Sequence, residues 1–260
     1  MYYNHILYNS KGSVMKLLVC ISKTPETTSK ISFVNDNSEF NTEGISYIMN
    51  PYDEWYALVR AIELKEQHGG TITAINVGTS ANDVIIRKAL AIGADDAVRI
   101  DTDPSDAREA AEQIANYAKD KEFDIILTGK ETIDYSGAEV GSMIGAALDL
   151  PFISLASKLD HDGSVAVLER DIEGGVEVIE VTGPFVVSAS KGMAEQRIPN
   201  MRGIMMAKRK PLEVIAAAES ESLVSTVSYS LPDEKGGVKM IDPDNMDELV
   251  RLLHEEAKVI

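Results

Sequence analysis

The sequence predicts a doubly wound α/β fold on a mostly parallel sheet, with a C-terminal arm. Three observations predict it. Short apolar runs alternate with segments of helical period at the spacing of βαβ units. The run Ile125-Ile126-Leu127 stops at a glycine and a polar loop, after which apolar residues recur at helical spacing. The chain has 260 residues, 44% of them hydrophobic, which is enough for one large or two ordinary domains with a substantial core.

The elements are taken up in chain order. Lys16-Leu17-Leu18-Val19-Cys20-Ile21-Ser22 is the first strand. Residues 1–14 are unlike the rest of the chain and lack the basic and apolar regions of a signal peptide; they are expected to be an extraneous or disordered leader, with Met15 the natural start. A polar stretch spans residues 23–44, with a hairpin expected around Asn35-Asp36-Asn37. Asn50 is expected to cap a helix with Pro51 in its first position and Asp53 and Glu54 in its first turn, running to about Glu66 and stopping at Gly69-Gly70. Residues 71–77 form the second strand. Ser80 opens a helix closed by Gly93, and residues 97–100 form the third strand. Ser105 caps a helix through Lys119, and residues 123–127 form the fourth strand. The next helix, carrying Val140, Met143, Ile144, Ala147 and Leu148, is entered through Ser136 and Gly137. Beyond Pro151 the pattern changes. Residues 164–168 and 176–181 pair around a turn at 171–175, residues 185–189 form a further strand, and Lys208-Arg209-Lys210-Pro211 is a short basic patch. From Leu231 the chain is polar, and residues 246–257 close it with an amphipathic helix. The division expected is a leader (1–14), an α/β domain (15–215) and an arm (216–260) too small to hold its own core.

The formal net charge of −17 indicates a solvated acidic surface and disfavours nucleic-acid binding, because phosphates would be repelled. The single cysteine, Cys20, excludes an internal disulfide framework and a cysteine-rich metal site, and it reads as a small core residue. No apolar run is long enough to span a membrane, so a cytoplasmic location without membrane insertion is expected. HExxH, CxxC and GxSxG are absent, as is GxGxxG after the first strand. His5, His68, His161 and His254 are scattered and read as surface groups, and Asp95-Asp96 and Glu255-Glu256 as solvated charges. No catalytic residue and no metal site are assigned. The stretch that stands out is residues 125–141. In an open parallel sheet ligands bind where helix N–H groups face the crevice beyond the strands' carboxyl ends, and Gly129 and Gly137 admit close approach of the backbone to a phosphate.

Six segments, in order, resemble the beta subunit of electron transfer flavoproteins. They are Leu17-Leu18-Val19-Cys20-Ile21-Ser22-Lys23; Asn50-Pro51-Tyr52-Asp53-Glu54; Ala89-Leu90-Ala91-Ile92-Gly93-Ala94-Asp95; Leu127-Thr128-Gly129-Lys130-Glu131-Thr132-Ile133-Asp134; Glu169-Arg170-Asp171-Ile172-Glu173-Gly174-Gly175-Val176-Glu177 through Pro184-Phe185-Val186-Val187; and Ile204-Met205-Met206-Ala207-Lys208-Arg209-Lys210-Pro211-Leu212-Glu213-Val214-Ile215.

The resemblance implies a Rossmann-like fold of adenine-nucleotide-binding type and a non-catalytic partner in a heterodimer. The alpha subunit would hold most of the redox FAD, and this chain would bury AMP or, in the electron-bifurcating type, a second FAD. Cofactor contacts carried over by position fall on Cys20, Asn50, Pro51, Tyr52, Asp53, Val77, Gly129, Lys130, Ile133, Asp134, Ser136, Gly137, Ala138, Glu139 and Val140. Tyr52 would also lean towards the alpha-subunit flavin. The segment that docks a flavin dehydrogenase, such as an acyl-CoA dehydrogenase, falls on residues 197–206. Arg197, Met201, Arg202 and Met205 are its candidates and Met201 is the apolar anchor.

The chain departs from the family's pattern in places. Ala138 and Val140 stand where animal members carry Asn and Thr, Glu139 where many bacterial members carry Gln, and Ala194-Glu195-Gln196-Arg197-Ile198 in place of NEPRY. The alternatives carried are a bifurcating NADH-dependent type with its own FAD, a stand-alone module like universal stress proteins, and an adenylate-forming ligase or pyrophosphatase. The last would need glycines near Lys23-Thr24-Pro25-Glu26, which are missing.

Overall fold

A computed structural model describes residues 14–233 and 236–260. The expected leader lies outside the described residues, apart from Val14. In chain order the first elements are β1 (Met15–Cys20), β2 (Lys23–Pro25), β3 (Phe33–Val34), β4 (Glu39–Phe40), β5 (Tyr47–Met49), α1 (Asp53–His68) and β6 (Gly70–Val77). A 3₁₀ turn at Ser80–Asn82 leads into α2 (Asp83–Ile92), followed by β7 (Asp96–Asp101), α3 (Ala107–Ala118), β8 (Ile125–Gly129) and α4 (Val140–Leu148). Then come β9 (Phe152–His161), β10 (Val165–Ile172), β11 (Gly175–Thr182), β12 (Phe185–Ala189), α5 (Met201–Ala207), β13 (Leu212–Ala216) and α6 (Met246–Arg251), which continues into a π turn at Leu252–Glu256.

Contacts divide the chain into two compact units: residues up to Ile31 with Thr42–Val227, and Ser32–Asn41 with Ser228–Ile260. The larger unit is built on one sheet of order β11-β10-β9-β12-β8-β1-β6-β7-β13. Pairing is parallel from β9 to β13 and antiparallel only for β9–β10 and β10–β11. The mostly parallel, doubly wound sheet expected from the sequence is therefore present.

Its strands are apolar on both faces because helices cover both. Along β1, Leu17 and Val19 pack into one core cluster and Leu18 and Cys20 into the other. Ile125 and Leu127 against Ile126, and Phe185 and Val187 against Val186, alternate in the same way. Leu58, Ala61 and Ile62 of α1 and Ile86, Ala89 and Leu90 of α2 fill the first side. Ala111, Ile114 and Ala118 of α3 and Ile144 of α4 fill the second.

The structure corrects several local expectations. Asn50 does not cap α1, which begins at Asp53 after Tyr52 in a positive-φ conformation (φ 64°, ψ −99°). Asp106, not Ser105, caps α3: its carboxylate accepts from Glu109 N at 2.8 Å, and the Glu109 carboxylate reaches one residue beyond the cap to accept from Ser105 N at 2.8 Å. Helix α4 begins at Val140 and is entered through the loop that holds Ser136 and Gly137, in keeping with the sequence reading. The docking segment contains a short helix, α5, whose N-cap Asn200 accepts from Gly203 N.

The short β2–β5 ladder was not anticipated, nor were two strands of the large sheet. β9 is half-exposed and carries Lys158 and Asp160, so it has no apolar run to announce it. β13 is an edge strand recruited to the sheet by its parallel pairing with β7.

In the smaller unit, β3 and β4 form the expected hairpin. Asn35, Asp36 and Asn37 make its turn, all at positive φ, which Asn and Asp tolerate best among non-glycines. The Phe33 ring stacks on Tyr229 at 4.8 Å. Helix α6 is capped by Asn245 and leaves Met246 and Val250 exposed.

Candidate functional site

The central strand β1 lies between β8 and β6, and the chain winds away from it in both directions. The crevice outside the carboxyl ends of β1 and β8 is therefore the topological switch point. Cys20 ends β1, Val77 ends β6 and Gly129 ends β8, so three of the candidates reach this edge through sheet register alone.

Asn50 is brought there by the small β2–β5 ladder, and its N–H donates to Ser22 O at 3.0 Å. It is fully buried, and its side chain holds the loop after β8. Nδ2 donates to Glu131 O at 2.9 Å, and Oδ1 accepts from Ile133 N at 3.0 Å. The residue expected to cap a helix instead splices two loops across 81 and 83 positions of sequence.

Ser136, Gly137, Ala138 and Glu139 are exposed in front of α4. Ser136 and Ala138 have φ of 49° and 55°, and Glu139 returns to the right-handed region at φ −102°. A left-handed residue followed by a right-handed one turns successive N–H groups towards a common point, which is how backbone concavities hold anions. Among the described residues, the N–H groups of Gly137, Ala138 and Glu139 donate to nothing. The start of α4 adds its own partial positive charge.

The two glycines differ. A Cβ on Gly129 would lie 2.8 Å from Glu54 Cγ and 3.0 Å from Glu54 N, so this glycine lets α1 press against the end of β8. A Cβ on Gly137 would meet only the Glu139 side chain, at 3.8 Å or more. Among the described residues, nothing in the packing requires glycine there.

Beneath the crevice lies a residue that the sequence marks only as a first-turn acid. Glu54 is buried; its Oε2 accepts from Ser22 N at 2.7 Å and its Oε1 from Ser22 Oγ at 2.5 Å. Burial pushes its carboxyl up to about 8, against the hydrogen bonds from Ser22 and Asn50 that favour the charge. The legible signal is position. Glu54, Leu58, Ala61 and Ile62 share one helical stripe, and a carboxylate on an apolar stripe needs a partner.

Burial, then Glu54, pushes the Cys20 thiol far up, so it stays a protonated core group. Burial raises the Asp53 carboxyl, and Lys130, itself paired with Glu131 at 2.9 Å, opposes that. Tyr52 is half-exposed beside these groups, and an aromatic residue at positive φ is strained backbone of the kind that gathers at functional sites.

The docking candidates lie elsewhere, along α5. Met201 and Met205 are exposed, as are Ile198, Ile204 and Met206. Arg202 is exposed. Arg197 is engaged within the chain: its guanidinium grips Glu66 at 2.7 and 3.0 Å, and its carbonyl accepts from Trp55 Nε1 at 3.1 Å. Among the described residues no helix is long and apolar enough to cross a membrane, and no group of three His, Cys, Asp or Glu stands ready to hold a metal ion.

Fold and site together define a Rossmann-like α/β protein with a loop of N–H groups, unbonded among the described residues, at its switch point. Comparison with known proteins sharpens the class. The model of the electron transfer flavoprotein domain matches residues 38–220. The chain is 40% identical over 260 residues to the electron transfer flavoprotein subunit beta of Bacillus subtilis (strain 168), covering 95% of this chain and 100% of that protein. It is 35% identical over 231 residues to the Syntrophomonas wolfei subunit beta, covering 88% and 90%. It is 30% identical over 256 residues to that of Homo sapiens, covering 94% and 99%. The chain belongs to the family of electron transfer flavoprotein beta subunits.

Proposed function

We propose that this chain is the nucleotide-holding and docking half of a heterodimeric electron transfer flavoprotein. It buries an adenine nucleotide, AMP or a second FAD, at the switch point and supports the FAD of an alpha subunit. It offers α5 to a flavin dehydrogenase such as an acyl-CoA dehydrogenase. The flavin, when bound, supplies the electron-accepting and electron-donating chemistry. The side chains of this subunit bind and orient; none is assigned a bond-making step.

The observation that carries the reading is the row of unbonded N–H groups at Gly137, Ala138 and Glu139 in front of α4, at the one edge where β1 and β8 part. A phosphate there would accept from these donors and from the start of α4. Ala138 and Val140 bring no side-chain donor, so the backbone supplies the contact. Asn50 fixes the loop to the β5–α1 connection, and Tyr52 and Asp53 come next along the same rim. Cys20 and Val77 end β1 and β6 on the same edge of the sheet and would line the crevice there. On α5, exposed Met201 and Met205 are adaptable apolar contacts suited to a partner that must bind and leave quickly.

The direct test is mass spectrometry of the nucleotide released on denaturing the native complex. AMP or FAD in near-stoichiometric amount with this subunit supports the reading and chooses between the two. A complex that yields only the alpha-subunit flavin would overturn it.

A further inference from the structure

Helix α5 has seven residues, too few to hold a helical conformation without help from its surroundings. Part of that help is visible. A Cβ on Gly203 would lie 2.5 Å from Ala91 O, so the backbone of α5 lies directly on the end of α2. Arg87 Nη1 donates to Ala207 O at 2.8 Å and Lys210 O at 2.6 Å, closing the helix at its far end.

The segment that feeds α5 is held differently. Residues 194–199 form no regular structure, and among the described residues their main chain makes one hydrogen bond, from Trp55 Nε1 to Arg197 O at 3.1 Å. Trp55 is well placed to carry it. Its ring packs on the core beneath α1, and Lys88 Nζ of α2 stands 4.4 Å from the ring centroid, so the indole is gripped from two helices. The Arg197 side chain reaches the other end of α1 to meet Glu66, so one residue ties the segment to α1 by main chain and side chain together.

We propose that Trp55 is a positioning residue for docking: its indole N–H fixes the backbone at Arg197 and thereby sets the pose in which α5 presents Met201 and Met205. This rests on the docking reading above. Trp55 lies on α1 within the subunit, half-buried, and acts through Arg197. Without the bond, residues 194–200 sample more conformations in the free protein, and each must be given up when the dehydrogenase binds. The effect therefore falls on association and not on the electron-transfer step itself.

The test uses the native two-subunit complex with its flavin, in Trp55→Phe and Met201→Ala forms, reduced by an acyl-CoA dehydrogenase of the same cell and its acyl-CoA. Phe keeps the ring and loses only the donor. One net hydrogen bond corresponds to about a fivefold change. Trp55→Phe should raise KM for the dehydrogenase about fivefold, leave kcat and flavin content unchanged, and speed amide exchange across residues 194–206. If Met201→Ala raises KM and Trp55→Phe does not, positioning by Trp55 is refuted while docking through α5 stands. If neither variant moves KM, the docking reading fails and this inference with it. A Trp55→Phe complex that loses flavin or melts early would make Trp55 a folding residue and also overturn the proposal.

Discussion

Replacing Glu54 by Gln should remove a pH dependence of stability that the wild-type complex carries. Burial raises this carboxyl from 4.5 to about 8 in the folded chain. Between those values the folded state keeps a proton that the unfolded state has lost. Stability from this group is therefore complete below pH 4.5 and drains away as pH rises through 8. The slope is about 1.4 kcal/mol per pH unit, so moving from about pH 5.5 to 7.5 should cost about 3 kcal/mol from this one group. Gln fits the same place: its oxygen can accept from Ser22 N, and its amide can donate to Ser22 Oγ once that hydroxyl turns. The variant then has nothing to titrate there. The assay is the melting temperature of the native complex against pH, wild type beside Glu54→Gln. The wild-type curve should fall relative to the variant's across this window, and the variant should be the more stable above pH 8. Parallel curves would mean that Glu54 is charged throughout, with Ser22 and Asn50 outweighing burial, and would refute the reasoning.

The same geometry sets three further outcomes. Gly137→Val should fold, because a side chain there meets only Glu139, yet lose its nucleotide; full retention by mass spectrometry would move the site elsewhere. Gly129→Ala forces a Cβ to within 2.8 Å of Glu54 Cγ and should destabilise by about 1–3 kcal/mol, seen as a lower urea midpoint accompanied by nucleotide loss. Met201→Ala removes an exposed apolar contact worth roughly 1.5–3 kcal/mol when covered, so turnover with the dehydrogenase below saturation should fall about tenfold at equal flavin content; equal rates would show that Met201 is no anchor.

The local and the long-range content of the sequence separate cleanly here. Strands β1, β6, β8 and β12 were legible because each is buried on both faces, and that leaves an unbroken apolar run that needs no knowledge of the partner strand. The hairpin turn at Asn35-Asp36-Asn37 was legible because its chemistry is local. β9 and β13 were not. One mixes charge into a half-exposed face, and the other is a strand only because β7 offers it a parallel edge. Asn50 looked like a cap because Asn before Pro and acidic residues has that form; across the fold, the 130s loop offered its side chain better partners.

The sequence by itself determined the alternation of elements, the strand–glycine–loop–helix stretch at residues 125–141, and six ordered segments that resemble one family. These are patterns of neighbours along the chain. The tertiary structure alone decided that β1 sits at the switch point, that Glu54 lies buried under Gly129 against Ser22, that Asn50 fastens the 130s loop, and that Arg197 is held by Glu66 and Trp55. Those facts are contacts between residues tens to more than a hundred positions apart. Side chains such as Glu54 and Asn50 take whichever partner burial leaves them, and that is fixed only when the whole sheet has assembled.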